Sequence, residues 1–87
     1  MFNSSDLGAE LYKTWSNTQR REEIEKLVHG YRSGIPVGIL CSMTEAIAGS
    51  RKRARKYLQE LLTPEERKSA VEQASGGMLE IVKDFLL

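Results

Sequence analysis

Apolar residues recur every three or four positions along most of this chain, and no strand-like alternation interrupts them, so the pattern predicts helices throughout. Ser5 can cap a first helix, with Leu7, Leu11 and Trp15 on one face and Tyr12 beside them. Eight polar residues follow, Ser16 to Glu23. Either the helix runs on exposed here or it breaks, with Ser16-x-x-Gln19 as a new capping box, and the box favours the break. Ile24, Leu27, Val28 and Tyr31 then form a second apolar stripe, with Glu22 and Glu23 set near the positive end of that helix.

Ser33-Gly34-Ile35-Pro36 is a stop signal. Gly34 can close the helix in a left-handed conformation, Ile35 can pack back on it, and Pro36 suits the first turn of the next. Val37, Leu40, Cys41, Thr44 and Ile47 carry the helical period towards Gly49. Beyond Gly49-Ser50, the residues Ala54, Tyr57, Leu58 and Leu61 share one face. Thr63-Pro64-Glu65-Glu66 marks a further start, with Thr63 capping, Pro64 at the first helical position and Glu66 closing the box. The last stretch holds Val71, Ala74, Met78, Ile81, Val82 and Phe85 at helical spacing, with Gly76-Gly77 inside it. Two glycines cost ~2 kcal/mol in a helix interior relative to alanine, so a kink or a close helix contact has to account for them.

Eighty-seven residues make one domain, because neither half could bury an adequate core alone. The expected fold is all-α, a single domain over 1–87 of four to six helices with a helix-turn-helix-like centre from Met43 to Leu62. A lone Cys41 in an apolar stretch predicts a buried, unreactive thiol in a reducing compartment. Met1 to Asp6 has neither a basic nor an apolar region, so no signal peptide is expected, and Ile35 to Cys41 is too short to span a membrane. The cytoplasm is the expected location, or the nucleus where the source has one, since Lys52-Arg53-Ala54-Arg55 would serve as an import signal.

Charge alters the picture at one place. Net charge is only +1, yet Arg51-Lys52-Arg53-Ala54-Arg55-Lys56 holds five of the thirteen cations, and no acid occurs from Ala46 to Gln59. Local positive charge is what a polyanion surface needs. With Ala54, Leu58 and Leu61 facing the core, Lys52 and Lys56 point away from it, Arg53 and Arg55 flank them, and Gln59 extends the same face. Elsewhere the charges mix their signs: Glu22 and Glu23 with Lys26, or Glu65 and Glu66 with Arg67 and Lys68, read as solvated faces. There is no Cys/His cluster for a metal, no phosphate-cradling glycine loop and no nucleophile elbow, so neither enzyme chemistry nor a cofactor is expected. Tyr12, Trp15 and Tyr31 read as packing residues and His29 as a surface histidine.

Met43-Thr44-Glu45-Ala46-Ile47-Ala48-Gly49-Ser50-Arg51-Lys52-Arg53-Ala54-Arg55-Lys56-Tyr57-Leu58 resembles the helix-turn-helix of bacterial DNA-binding regulators. Aligned without gaps, Ile47 and Tyr57 fall on apolar positions, Ser50 starts the recognition helix, Ala54 takes its inner position and Leu58 ends it. The stretch departs from the motif at Thr44, Ala48 and Gly49. The resemblance implies that Arg51, Lys52, Arg53, Arg55 and Lys56 face DNA from a helix inserted in a major groove, and with Ser50 at its start and Gln59 on the same outer face they form the expected nucleic-acid-binding set.

The end of the chain is apolar, which predicts an interface through Met78, Ile81, Val82, Phe85 and Leu86. A second copy is the expected occupant, since a two-fold dimer would present two basic helices to successive grooves. The alternative function is a helical protein-interaction module, an anti-activator, inhibitor or adaptor that grips a partner protein through its apolar helices. Near-neutral overall charge favours that alternative, and the basic run favours DNA.

Overall fold

The computed structural model describes residues 12–87. The helix expected from Ser5 through Leu7 and Leu11 therefore lies outside the described residues, apart from its partners Tyr12 and Trp15. These two rings meet edge to face at 4.6 Å between centroids. Five helices follow among the described residues: α1 (Asn17–Arg32), α2 (Val37–Ala48), α3 (Arg51–Leu61), α4 (Pro64–Gln73) and α5 (Gly77–Leu86). No strand occurs among these residues, and the fold is all-α.

Local chemistry accounts for most of the boundaries. At Ser16 the chain does break: the Gln19 amide donates to Ser16 Oγ at 3.1 Å, and the Ser16 amide donates to Gln19 Oε1 at 2.8 Å. The first turn of α1 contains no acid, so Glu22 and Glu23 sit one turn beyond the positive end assigned to them. At the other end the Gly34 amide donates to Tyr31 O and the Ile35 amide to Gly30 O, the paired bonds of a Schellman stop, with Gly34 at φ 127°. Pro36 stands one position earlier than expected. It is the residue before the first turn of α2, where its carbonyl accepts from the Leu40 amide.

Gly49 ends α2 at φ 92°, and Ser50 caps α3 by accepting from the Arg53 amide at 3.2 Å. At Thr63 both halves of the box are present, Glu66 amide to Thr63 Oγ1 at 3.1 Å and Thr63 amide to Glu66 Oε1 at 3.0 Å. The glycine pair produces a complete break. Helix α4 stops at Gln73, the chain turns through Ala74 to Gly76, and α5 starts afresh with its own phase. Ala70, not Val71, is the buried residue of α4, and on α5 the buried residues are Val82, Phe85 and Leu86.

Helices α1, α2 and α3 pack on one another, α5 closes against α2 and α3, and α4 lies against α5. One core results. Ile24 and Val28 of α1 meet Leu40, Cys41, Ile47 and Ala48 of α2, with Ala54 and Leu58 of α3 and the buried residues of α5. Thr44 is the buried polar residue of this core, and its hydroxyl donates to Leu40 O one turn back at 2.6 Å, so burial leaves no orphan. Tyr12, Trp15 and Tyr31 pack at the core's edge, and His29 is exposed. Burial pushes the Cys41 thiol up to about 11, against a small opposing pull from Arg51, which leaves it protonated and unreactive at neutral pH.

Candidate nucleic-acid interface

Helix α3 owes its two faces to its sequence. Ala54 and Leu58 are buried against α1, α2 and α5, with Tyr57 and Leu61 half-buried beside them. Lys52, Lys56 and Gln59 occupy the opposite side and are exposed, with Arg53 exposed on one flank. Arg55, on the other flank, is half-buried, and its Nε is buried without a hydrogen-bond partner. Ser50 is exposed and spends its hydroxyl on the cap.

Arg51 is a different kind of cation. Its Nε donates to Glu45 Oε2 and its Nη1 to Asp84 Oδ2, both at 2.9 Å, and its guanidinium lies 4.8 Å above the Phe85 ring. Those hydrogen bonds, first to Glu45 and then to Asp84, hold its pKa above the ordinary arginine value. The run itself has no acid, but folding delivers one carboxylate from α2 and one from α5 to its first member. Lys52, Arg53 and Lys56 form no ion pair among the described residues, and Arg53 and Lys56 line the side of α3 that faces the start of α1. There Arg53, Lys56 and Tyr57 face Asn17, Thr18 and Arg21 across a shallow cleft, where Arg21 is already paired with Glu60 at 3.0 Å.

Three more residues hold this surface in place; nothing in the local pattern of the chain marks Arg20 and Arg32, and it marks Glu66 only as a cap. Arg20 donates to three backbone carbonyls, Tyr12 O at 2.7 Å, Ile47 O at 2.8 Å and Trp15 O at 3.3 Å, so it satisfies the end of α2 just before the turn into α3. Arg32 reaches the end of α3 at Leu61 O (3.0 Å) while holding Glu66. Glu66 is thus an ion-pair partner and a cap, not the freely solvated acid that its neighbours Arg67 and Lys68 suggest.

The expected interface at the chain end divides into two parts. Val82, Phe85 and Leu86 are core residues, whereas Met78 and Ile81 are exposed together with Ile39 and Met43 of α2. Ile39 falls outside the stripe of Val37, Leu40, Cys41, Thr44 and Ile47, and an apolar residue off the buried period is the sequence signal for such a surface. No group of His, Cys, Asp and Glu among the described residues is placed to hold a metal ion, and no helix there is long and apolar enough to cross a membrane.

Comparisons with protein-family models, with curated proteins and with solved structures return no match to this chain. The class that the fold defines is a small all-α protein with a cationic helix on its surface.

Proposed function

We propose that this chain is a small DNA-binding protein of transcription regulation that lays the outer face of α3 against the duplex. One observation carries the reading: Lys52, Arg53 and Lys56 are exposed on one helix and none of them is ion-paired among the described residues, the nearby Glu60 being taken up by Arg21, while the protein as a whole is nearly neutral. Adjacent like charges repel one another, and phosphates would neutralise them and release counterions. Two consecutive helices, α2 and α3, joined through Gly49-Ser50, support a helix-turn-helix style of insertion, with Gln59 and the arginine forks available to base edges. In this role the protein works in the cytoplasm, without cofactor or catalysis.

Two copies would pair as a homodimer on DNA, each offering its α3 to one major groove. Met78 and Ile81 alone are too little surface to hold such a pair together in free solution, so pairing depends on the duplex. The test is anisotropy of a labelled duplex across a salt series, with heparin retention as a parallel measure. Binding that weakens steeply with salt supports the proposal; no binding even at low salt ends it.

A further inference from the structure

The apolar surface that α5 leaves exposed is a groove rather than a flat patch. Helices α2 and α5 run side by side in the same direction, with Gly38 beside Met78 at one end and Glu45 bridged to Asp84 through Arg51 at the other. The distance between these ends is roughly 10 Å, two helical turns. Ile39, Met78 and Ile81 form the walls, exposed by 45%, 39% and 42%, and Cys41 and Phe85 lie in the floor. Gly38 lets the Met78 side chain pack directly on the backbone of α2. The Met78 methyl lies 2.7 Å from where any other residue would carry its Cβ, so a flexible thioether alone covers backbone there.

Area and charge select the occupant. Three partly exposed side chains make a small apolar surface, well short of the ~800 Å² per partner of a standard stable interface. That is too little to hold a second copy and enough for one face of a single helix. At the other end, Arg51 engages one oxygen of each carboxylate, which leaves Glu45 Oε1 and Asp84 Oδ1 without a hydrogen bond among the described residues. Two carboxylates against one guanidinium leave a net negative charge there.

We propose that this groove takes an amphipathic helix of another protein, its apolar stripe seated between Ile39, Met78 and Ile81 and its lysine or arginine set at the end beside Glu45 and Asp84. Two turns of groove read apolar side chains at positions i, i+4 and i+7 of the incoming helix, the usual helix-in-groove arrangement. The site lies on α2 and α5, not on the outer face of α3, so it is independent of the DNA reading.

Calorimetric titration of the whole chain with alanine-based peptides of about 16 residues, long enough to be helical, tests the proposal. One peptide carries leucines at i, i+4 and i+7 with a lysine pair at one end, and a second replaces those lysines by glutamates. The lysine peptide should bind at least about five-fold more tightly than the glutamate one, as an unscreened end charge requires. Ile81→Glu and Ile39→Glu should each weaken it about ten-fold or more. Met43→Glu, equally exposed on α2 but outside the groove, should leave it within about two-fold. The double variant Lys52→Ala/Lys56→Ala should not affect it at all. Absence of binding by either peptide, equal loss in Met43→Glu, or a stable dimer in sedimentation that Ile81→Glu splits into monomers would each overturn the proposal.

Discussion

Arg32 holds Glu66 with two hydrogen bonds of 2.8 Å, Nε to Oε2 and Nη2 to Oε1, across 34 positions of sequence. The fork ties the end of α1 to the start of α4, and the same Arg32 Nη2 also donates to Leu61 O at the end of α3. Three helix termini therefore meet at one guanidinium. Bidentate geometry gives this pair the best claim to a measurable effect among the ion pairs of the described residues.

The pair predicts an acid-sensitive contribution to stability. Hydrogen bonds from Arg32, and then from the Thr63 amide, hold the Glu66 carboxyl at about 2 against a usual 4.5. Because the folded value is depressed, its contribution is complete above pH 4.5 and is lost as pH falls towards 2. Solvent screening at this partly exposed site keeps it to about 1 kcal/mol. Glu66→Gln preserves the capping box and removes the charge, so urea unfolding should separate the two proteins at pH 7 and bring them together near pH 2. A constant difference across that range would exclude Arg32 as the cause.

Arg20 should be the costliest surface-proximal arginine to remove. Arg20→Met keeps the aliphatic stem but strips hydrogen bonds from the carbonyls of Tyr12, Trp15 and Ile47. Leaving part-buried acceptors unpaired should cost about 2 kcal/mol or more. The midpoint of chemical unfolding measures it directly.

Gly49→Ala should destabilise by about 1–2 kcal/mol, the cost of a left-handed conformation for a residue with a Cβ. Its φ of 92° is the first cause, and the second is Arg20 Nη1, only 3.1 Å from the new methyl. The same substitution at Ser50 costs a cap, about 1 kcal/mol. Thermal midpoints should therefore rank the wild type above Ser50→Ala and Ser50→Ala at or above Gly49→Ala.

The cations of α3 should separate by role. Lys52→Ala with Lys56→Ala should flatten the salt dependence of DNA binding by about two phosphate contacts and leave helicity intact. Arg51→Ala should instead lower stability, because it strands Glu45 and Asp84 together and uncovers Phe85. Circular dichroism melts alongside anisotropy distinguish the two effects. A loss of DNA affinity from Arg51→Ala with an unchanged melt would reverse the assignment.

What the chain determined by itself is whatever lies within one or two helical turns. The boxes at Ser16 and Thr63, the Gly34 stop and the alternation of Ala54 and Leu58 with Lys52 and Lys56 all form between residues at most six apart, so spacing and residue type suffice. The glycine pair was ambiguous on those terms: a kinked helix would keep Val71, Met78, Ile81 and Phe85 on one phase, and only the docking of α4 against α5 settled that the chain turns instead. Tertiary structure also decided the fate of charge and apolar surface. Arg51 with Asp84, Arg32 with Glu66, and Arg20 with Ile47 O join residues 33, 34 and 27 positions apart. Such partners depend on how helices cross, which a periodicity does not encode. For the same reason Val82, Phe85 and Leu86 went to the core while Ile39, Met78 and Ile81 stayed outside. A helix in the sequence has an apolar side, but how much of that side is covered depends on the width of the helices packed against it.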